Sequence, residues 1–267
     1  MAFSPTQLLG SKADTQPPLP EIPDLADIYA DGIKFREGDL MMIVGRSGSQ
    51  KTGLALWLCA QWSMPTLYFA ADSTPADVAS RLIQTVCGET QEQVEVGLQT
   101  PHRRKWYMEQ IADVPISVAT GSPITDEAIE EELNAYVELH DAWPKILVID
   151  NLMDMEGAEA DWSSQTQAIQ MLSTFREAGM TVIMLHHARE TEDDGYPPPK
   201  WQISNKLDKK PTVILGISLN QDFGTLRIAP LKVRTGKSDP TGRAINYVLA
   251  ADPARTRFHR KTTTHHH

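Results

Sequence analysis

The sequence predicts an α/β fold: a mostly parallel central sheet with helices on both faces and a C-terminal β-hairpin. Three observations predict it. L40-M-M-I-V44, K145-I-L-V-I-D150 and T181-V-I-M-L-H-H187 are short, continuous apolar runs, the pattern of strands buried on both sides. Segments with helical periodicity and capping residues alternate with them. Near the end, P211–L219 and G224–R234 alternate like strands and are joined by a turn at Asn220–Gly224.

Each element can be justified in order. Residues 1–37 are rich in proline (T15-Q-P-P-L-P-E-I-P23) and poor in periodicity. They read as an extended arm that either docks on a neighbouring subunit or is a disordered tail, with a short helix around Asp24–Tyr29. Leu40–Val44 is the first strand, and a helix begins at Lys51. T66-L-Y-F-A70 is the next strand. S73-T-P-A-D-V-A-S-R-L-I83 is a helix, with Ser73 or Thr74 as cap and Pro75 at its first position. Residues 88–122 are ambiguous and suit an excursion at the sheet edge. Thr125–Leu139 is a helix whose acidic first turn complements the helix dipole. Ser163–Ala178 is an amphipathic helix stopped by Gly179. The main domain spans 38–258. Residues 259–267 are a tail whose His265-His266-His267 resembles a purification tag.

The 267 residues contain 41% hydrophobic and 22% charged side chains, enough for a sizeable core. No apolar run approaches the roughly 18 residues of a membrane span, and no secretory signal opens the chain. Cys59 and Cys87 suit buried free thiols, which points to a cytoplasmic setting. A net charge of −10 excludes a generally basic coat for nucleic acid, although loops gathered in a ring could still bind it.

The chemistry begins at V44-G-R-S-G-S-Q-K-T52. A strand, a glycine turn and a helix opening with Lys-Thr form a phosphate cradle. Gly45, Arg46, Ser47, Gly48, Ser49, Gln50, Lys51 and Thr52 would wrap the phosphates. Lys51 would neutralise them and the Thr52 hydroxyl would ligate Mg²⁺. Gln50 replaces the second glycine of the pattern. It is expected in an ordinary backbone conformation with its side chain pointing outward. Asp150 ends an apolar strand and suits the Mg²⁺ shell. Asp72 ends another, where it either polarises the attacking water or caps the next helix. His186-His187 ends a third, beside the expected γ-phosphate, as a sensor or as structure. Lys232 and Arg234 lie two apart on one strand face, fit to reach a phosphate on an adjacent subunit or to sit in solvent.

This ordered set resembles the RecA-like P-loop NTPase core of the DnaB family of hexameric replicative helicases, and also RepA-type plasmid helicases and related phage ATPases. The resemblance rests on the loop at 45–52, Y68-F-A-A-D-S73, I146-L-V-I-D-N-L152, V182-I-M-L-H-H-A-R189 and K232-V-R-T-G236, and covers roughly residues 38–250. It implies ATP and Mg²⁺ as ligands. It puts Asp72 in the place of the catalytic glutamate, His187 in that of the sensor glutamine, and Lys232 and Arg234 at the neighbour's active site. It also implies a homo-oligomer, a hexameric ring with ATP between subunits, acting on single-stranded or forked DNA in phage or plasmid replication, with no membrane partner. The DNA-facing loops of the family carry cations. Here the loop after Asp150 (D154-M-E-G-A-E-A-D161) is acidic, so Arg189, Lys200, Lys206, Lys209 and Lys210 are the expected contacts, with Trp201 as a stacking surface. Two further readings remain. One is a RecA-like recombination or strand-annealing ATPase. The other is a structure-specific nuclease in which Asp150, Asp154, Glu156, Glu159 and Asp161 gather metal ions.

Overall fold

The apolar runs are strands, and all belong to one sheet. Its members are β1 (Leu40–Gly45), β2 (Thr66–Ala70), β3 (Ile116–Thr120), β4 (Ile146–Asp150), β5 (Thr181–His187), β6 (Val213–Asn220), β7 (Thr225–Val233), β8 (Tyr247–Asp252) and β9 (Arg257–Arg260). Their order across the sheet is β3-β2-β4-β5-β1-β6-β7-β8-β9. Neighbours from β3 to β6 are parallel. From β6 to β9 they are antiparallel. The expected C-terminal hairpin is therefore the start of a four-stranded meander. The computed structural model describes residues 16–158, 162–189, 195–203 and 207–261.

Helices cover both faces. They are α1 (Ala26–Ala30), α2 (Lys51–Trp62), α3 (Pro75–Cys87), α4 (Gln91–Leu98), α5 (Pro101–Ile111), α6 (Asp126–His140) and α7 (Trp162–Glu177). Met41, Ile43, Ile183 and Leu185 point to the face packed by Leu54 and Leu58 of α2. Leu40, Met42, Val44, Val182 and Met184 point to the face packed by Leu133 of α6 and by Ile169 and Leu172 of α7. This alternation along each strand follows from the two-residue period. α2 is apolar nearly all round because its outer side is also covered. Trp57, for example, meets Phe258 of β9 edge-on at 5.7 Å between ring centroids.

Caps fall where the residue types require them. The Thr74 hydroxyl accepts from Asp77 N, the Asp77 carboxylate accepts from Thr74 N, and Pro75 follows the cap. The Thr125 hydroxyl accepts from Ala128 N at the start of α6. The ambiguous stretch 88–122 becomes α4, α5 and the edge strand β3, held by a small separate cluster of Ile83, Val94 and Tyr107. Cys59 is buried and Cys87 partly so, and both are free thiols.

The amino-terminal expectation needs correction. Residues 16–37 do not reach out as an arm. Leu19 N donates to Phe35 O and Glu37 N to Pro17 O, closing a loop around α1. Ile22, Leu25, Ile28, Ile33 and Phe35 are buried in the chain's own core. Their apolar spacing was masked by the prolines between them. Residues 1–15 lie outside the described residues, as do 262–267 of the expected tail. His259 and Arg260 belong to β9, and Arg260 N donates to Asp24 Oδ1 at 2.8 Å.

Candidate functional site

β1 ends at Gly45, where a Cβ would collide with Ser49 Oγ and press on the Ile217 carbonyl at 3.1 Å. The loop turns through Gly48 at φ +73. Gln50 then stands at φ 66, ψ 34 as the residue before α2. This corrects the expectation of an ordinary conformation. The turn into α2 demands left-handed backbone, so glutamine adopts the geometry glycine would supply, at a cost of about 1–2 kcal/mol. Its side chain does not point outward either. It lies over Gly53, where a Cβ would stand 2.7 Å from Gln50 Oε1 and 3.3 Å from Thr256 Cγ2.

Lys51 is buried at the mouth of this loop. Its ammonium donates to Gly45 O at 3.2 Å and Arg46 O at 3.0 Å, and lies 3.2 Å from His187 Nδ1. An ammonium only donates, so Nδ1 is the unprotonated nitrogen of that ring. Burial lowers the Lys51 pKa to about 8, against the opposing pull of Asp150. His187 is in register with Gly45, which brings the ends of β5 and β1 together. His186 points to the other face. It is 2% exposed, neither ring nitrogen has a hydrogen-bond partner among the described residues, and burial lowers its pKa to about 4.

Asp150 closes the site from β4. The Tyr68 phenol, on adjacent β2, donates to Oδ2 at 2.9 Å. The Thr52 hydroxyl also bonds this carboxylate, and Arg81 and Lys51 lie close enough to favour its charge. Burial still dominates and raises its pKa. The cleft between these groups has a volume of about 420 Å³, and Asp72, Ser73, Arg81, Gln84, Asn151, His187 and Thr256 also line it. Asp72 is not the helix cap, because Thr74 takes that role.

The cleft's donors fit an anionic phosphate: loop N–H groups, the Lys51 ammonium, the Arg81 guanidinium, and a buried Ser49 hydroxyl with no partner among the described residues. The adjacent Thr52 hydroxyl and Asp150 carboxylate are hard oxygen donors suited to Mg²⁺. Sequence reasoning missed Tyr68, which reads as one more apolar strand residue. It also missed Arg81, whose position on α3 shows its direction only once the helix is packed. Among the described residues, which include Asp150, Asp154 and Glu156 of the acidic set, no group of three or more His, Cys, Asp or Glu residues that could hold a metal forms. Glu159 and Asp161 lie outside them.

Lys232 and Arg234 lie at the opposite end of the sheet. β7 is antiparallel to β6, and Lys232 pairs with Ile214 near the start of β6. Gly45, by contrast, pairs with Ile217 farther along β6. Lys232 Nζ donates to Asp208 O at 2.6 Å and Lys209 O at 2.9 Å. Its pKa is lowered by burial and by the nearby Lys200 and Arg234. Arg234 is exposed. The turn that follows is fixed by the Asp239 carboxylate, which accepts from the backbone N–H groups of Thr241, Arg243, Ala244 and Ile245. Lys200, which pairs with Asp208 at 2.9 Å, joins this basic region with exposed Lys209 and Lys210. Trp201 beside it is 69% exposed. Two groups of cations that are separate in the sequence thus share one region. Arg189 follows β5 and its N–H donates to Gln202 O at 3.4 Å, next to Trp201, and Lys206 lies outside the described residues. Among the described residues, no helix is long and apolar enough to cross a membrane.

A parallel sheet with a phosphate loop after β1 and a carboxylate at the end of β4 defines a RecA-like P-loop domain. Residues 19–193 match the AAA_25 family (AAA domain), and the chain belongs to that family. It is 28% identical over 251 residues to the Gene 65 protein of Mycobacterium phage L5, covering 90% of this chain and 92% of that protein. It is 28% identical over 213 residues to the Gene 65 protein of Mycobacterium phage D29, covering 76% and 91%. Its fold is similar to that of a solved ATPase domain, with a TM-score of 0.77, 15% identity and 96% of both chains covered. It is also similar to a DnaB-like replicative helicase whose structure was described together with its interactions with primase. There the TM-score is 0.75 and the identity 16%, with 96% of this chain and 67% of the other covered. The expected DnaB-like RecA fold is therefore the observed one.

Proposed function

We propose that this chain is a Mg²⁺-dependent, DNA-stimulated ATPase of the DnaB-like helicase type, acting on single-stranded or forked DNA in phage replication. The observation that carries the proposal is the division of chemistry between two ends of one sheet. Lys51, Thr52 and Asp150 converge at the carboxyl ends of the parallel strands. Lys232 and Arg234 lie toward the other end and do not line that cleft. A head-to-tail ring would bring one subunit's basic end to the next subunit's cleft.

In this reading Lys51 turns its ammonium from the loop carbonyls to the phosphates, and Thr52 and Asp150 hold the ion's shell. Bound Mg²⁺·ATP supplies an activated phosphoryl group. Asp72 orients and deprotonates the attacking water. His187, in contact with Lys51, senses the phosphate end, and Arg234 of the neighbouring subunit offsets developing charge. Lys200, Lys209 and Lys210 contact the DNA backbone, and Trp201 offers a face for a base. The similarity to Gene 65 proteins of two mycobacteriophages supports the phage setting.

The test is ATP hydrolysis with and without single-stranded DNA, alongside the mass in solution. Mg²⁺-dependent turnover that rises with DNA, belongs to a ring-sized species and vanishes in Lys51→Ala is expected. A rate indifferent to DNA would refute the motor reading.

A further inference from the structure

Tyr196 stands where three parts of the molecule meet. Its ring has the Arg227 guanidinium of β7 at 4.8 Å and the Arg243 guanidinium of the Asp239 turn at 4.9 Å. Its carbonyl accepts a 3.0 Å hydrogen bond from Arg46 Nη1, in the phosphate loop. Arg243 also donates to the next carbonyl, that of Pro197, at 3.0 Å. Pro197–Pro199 are buried, and Lys200 N donates to Pro240 O at 2.8 Å. β6 meets this segment at Gly216, where a Cβ would lie 3.2 Å from Pro197 Cβ and 2.9 Å from Leu231 Cδ1. Residues 196–200 are therefore stapled down, and Lys200 and Trp201 project from the staple.

Arg46 faces two ways. Its carbonyl accepts from Lys51 Nζ at 3.0 Å, and its guanidinium holds Tyr196. An anion that draws the Lys51 ammonium away releases the Arg46 carbonyl, and so changes what fixes the residue that grips Tyr196. We propose that Tyr196 is a positioning residue that couples the phosphate loop, through Arg46, to the segment carrying Lys200 and Trp201. The proposal rests on the nucleotide- and DNA-binding reading above. Arg227 and Arg243 fix the ring against β7 and the turn that follows Arg234, so the same node reaches the basic end of the chain.

Coupling between two ligands is measured by how far each changes the other's affinity, and the two factors must agree. The experiment titrates a non-hydrolysable ATP analogue with Mg²⁺ and a labelled oligo(dT) strand, each alone and each in the presence of the other. The wild-type chain is expected to show mutual coupling of about 5- to 150-fold. Tyr196→Ala keeps the carbonyl that Arg46 holds but removes the ring that anchors it to Arg227 and Arg243, so it should retain both separate affinities and lose most of that factor. Tyr196→Phe keeps the ring and the main chain and should retain it. Arg243→Ala removes one guanidinium and the Pro197 bond, and should reduce coupling even if Tyr196→Ala fails to fold. Undiminished coupling in a folded Tyr196→Ala or Arg243→Ala overturns the proposal, as does a wild-type chain that binds both ligands independently. A wild-type chain that binds the analogue but no strand removes the DNA reading itself, and the proposal with it, an outcome distinct from lost coupling.

Discussion

The Tyr68 phenol donates a 2.9 Å hydrogen bond across adjacent strands to Oδ2 of Asp150. Tyr68 pairs with Val148 and Ala70 with Asp150, so the bond runs diagonally between neighbouring strands and is set by the sheet itself rather than by a loop. Hydrogen bonds to charged groups contribute about 1.5–3 kcal/mol. Tyr68→Phe keeps the buried ring and removes only the donor. It should lower kcat/KM for ATP by about 10- to 150-fold and, because a buried carboxylate loses its donor, also lower stability by about 1.5–3 kcal/mol. Steady-state kinetics beside thermal unfolding checks this, and unchanged kcat/KM would mean that Thr52 alone suffices to orient the carboxylate.

His186 predicts an acid weakness. Its pKa of about 4 lies below the ordinary 6.5, chiefly through burial and then through His187 and Lys51. Between those values the unfolded chain takes up a proton that the folded chain refuses. The stability at stake is fully present above 6.5 and is lost as pH falls through about 4. His186→Leu removes both the titration and two buried unpartnered nitrogens. It should stabilise the chain by about 1–3 kcal/mol at pH 7. That advantage should grow by about 2 kcal/mol on going to pH 5. Urea unfolding at the two pH values reads both effects, and an advantage that shrinks at pH 5 would contradict the assignment.

Gln50 predicts a gain from glycine. Relief of left-handed strain, about 1–2 kcal/mol, exceeds the added chain entropy of glycine, about 0.5–1 kcal/mol. Gln50→Gly should therefore stabilise slightly, with nucleotide affinity retained because the backbone N–H remains. Denaturant unfolding and analogue binding measure the two. A loss of stability would show that the side chain over Gly53 contributes more than the backbone strain costs.

Subunit mixing tests the role of Arg234. Lys51→Ala and Arg234→Ala are each expected to be inactive alone. If Arg234 acts on the neighbour, an equal mixture gives about one quarter of interfaces with both groups intact. Hydrolysis should then return in the mixture. A mixture as inactive as its parts would place Arg234 outside the neighbour's site.

Much of this was legible in the sequence because the buried parallel strands are nearly pure apolar runs, and because Thr74-Pro75 and Thr125 mark helix starts. β3 was not, since an edge strand with one half-exposed side lacks such a run. α4 and α5 bury only a few residues each and carry little periodicity. β8 and β9 pair only with the far side of the meander and lie beyond the last recognisable turn. At the site, Lys51, Thr52, Asp72, Asp150 and His187 were legible, and all five line one cleft. The backbone of Gln50 was not, because a turn's geometry belongs to the fold and overrides the preference of the residue placed in it.

Having its phosphate loop and its Arg234 at opposite ends gives the sheet an arithmetic. If Arg234 completes a neighbour's cleft, one copy owns two halves and no whole. A row of n copies completes n − 1 clefts and leaves a stranded half at each tip. Closing the row recovers the last one, so the final contact yields a working centre as well as buried surface. Such a row also has a head and a tail, and every copy in it faces the same way around.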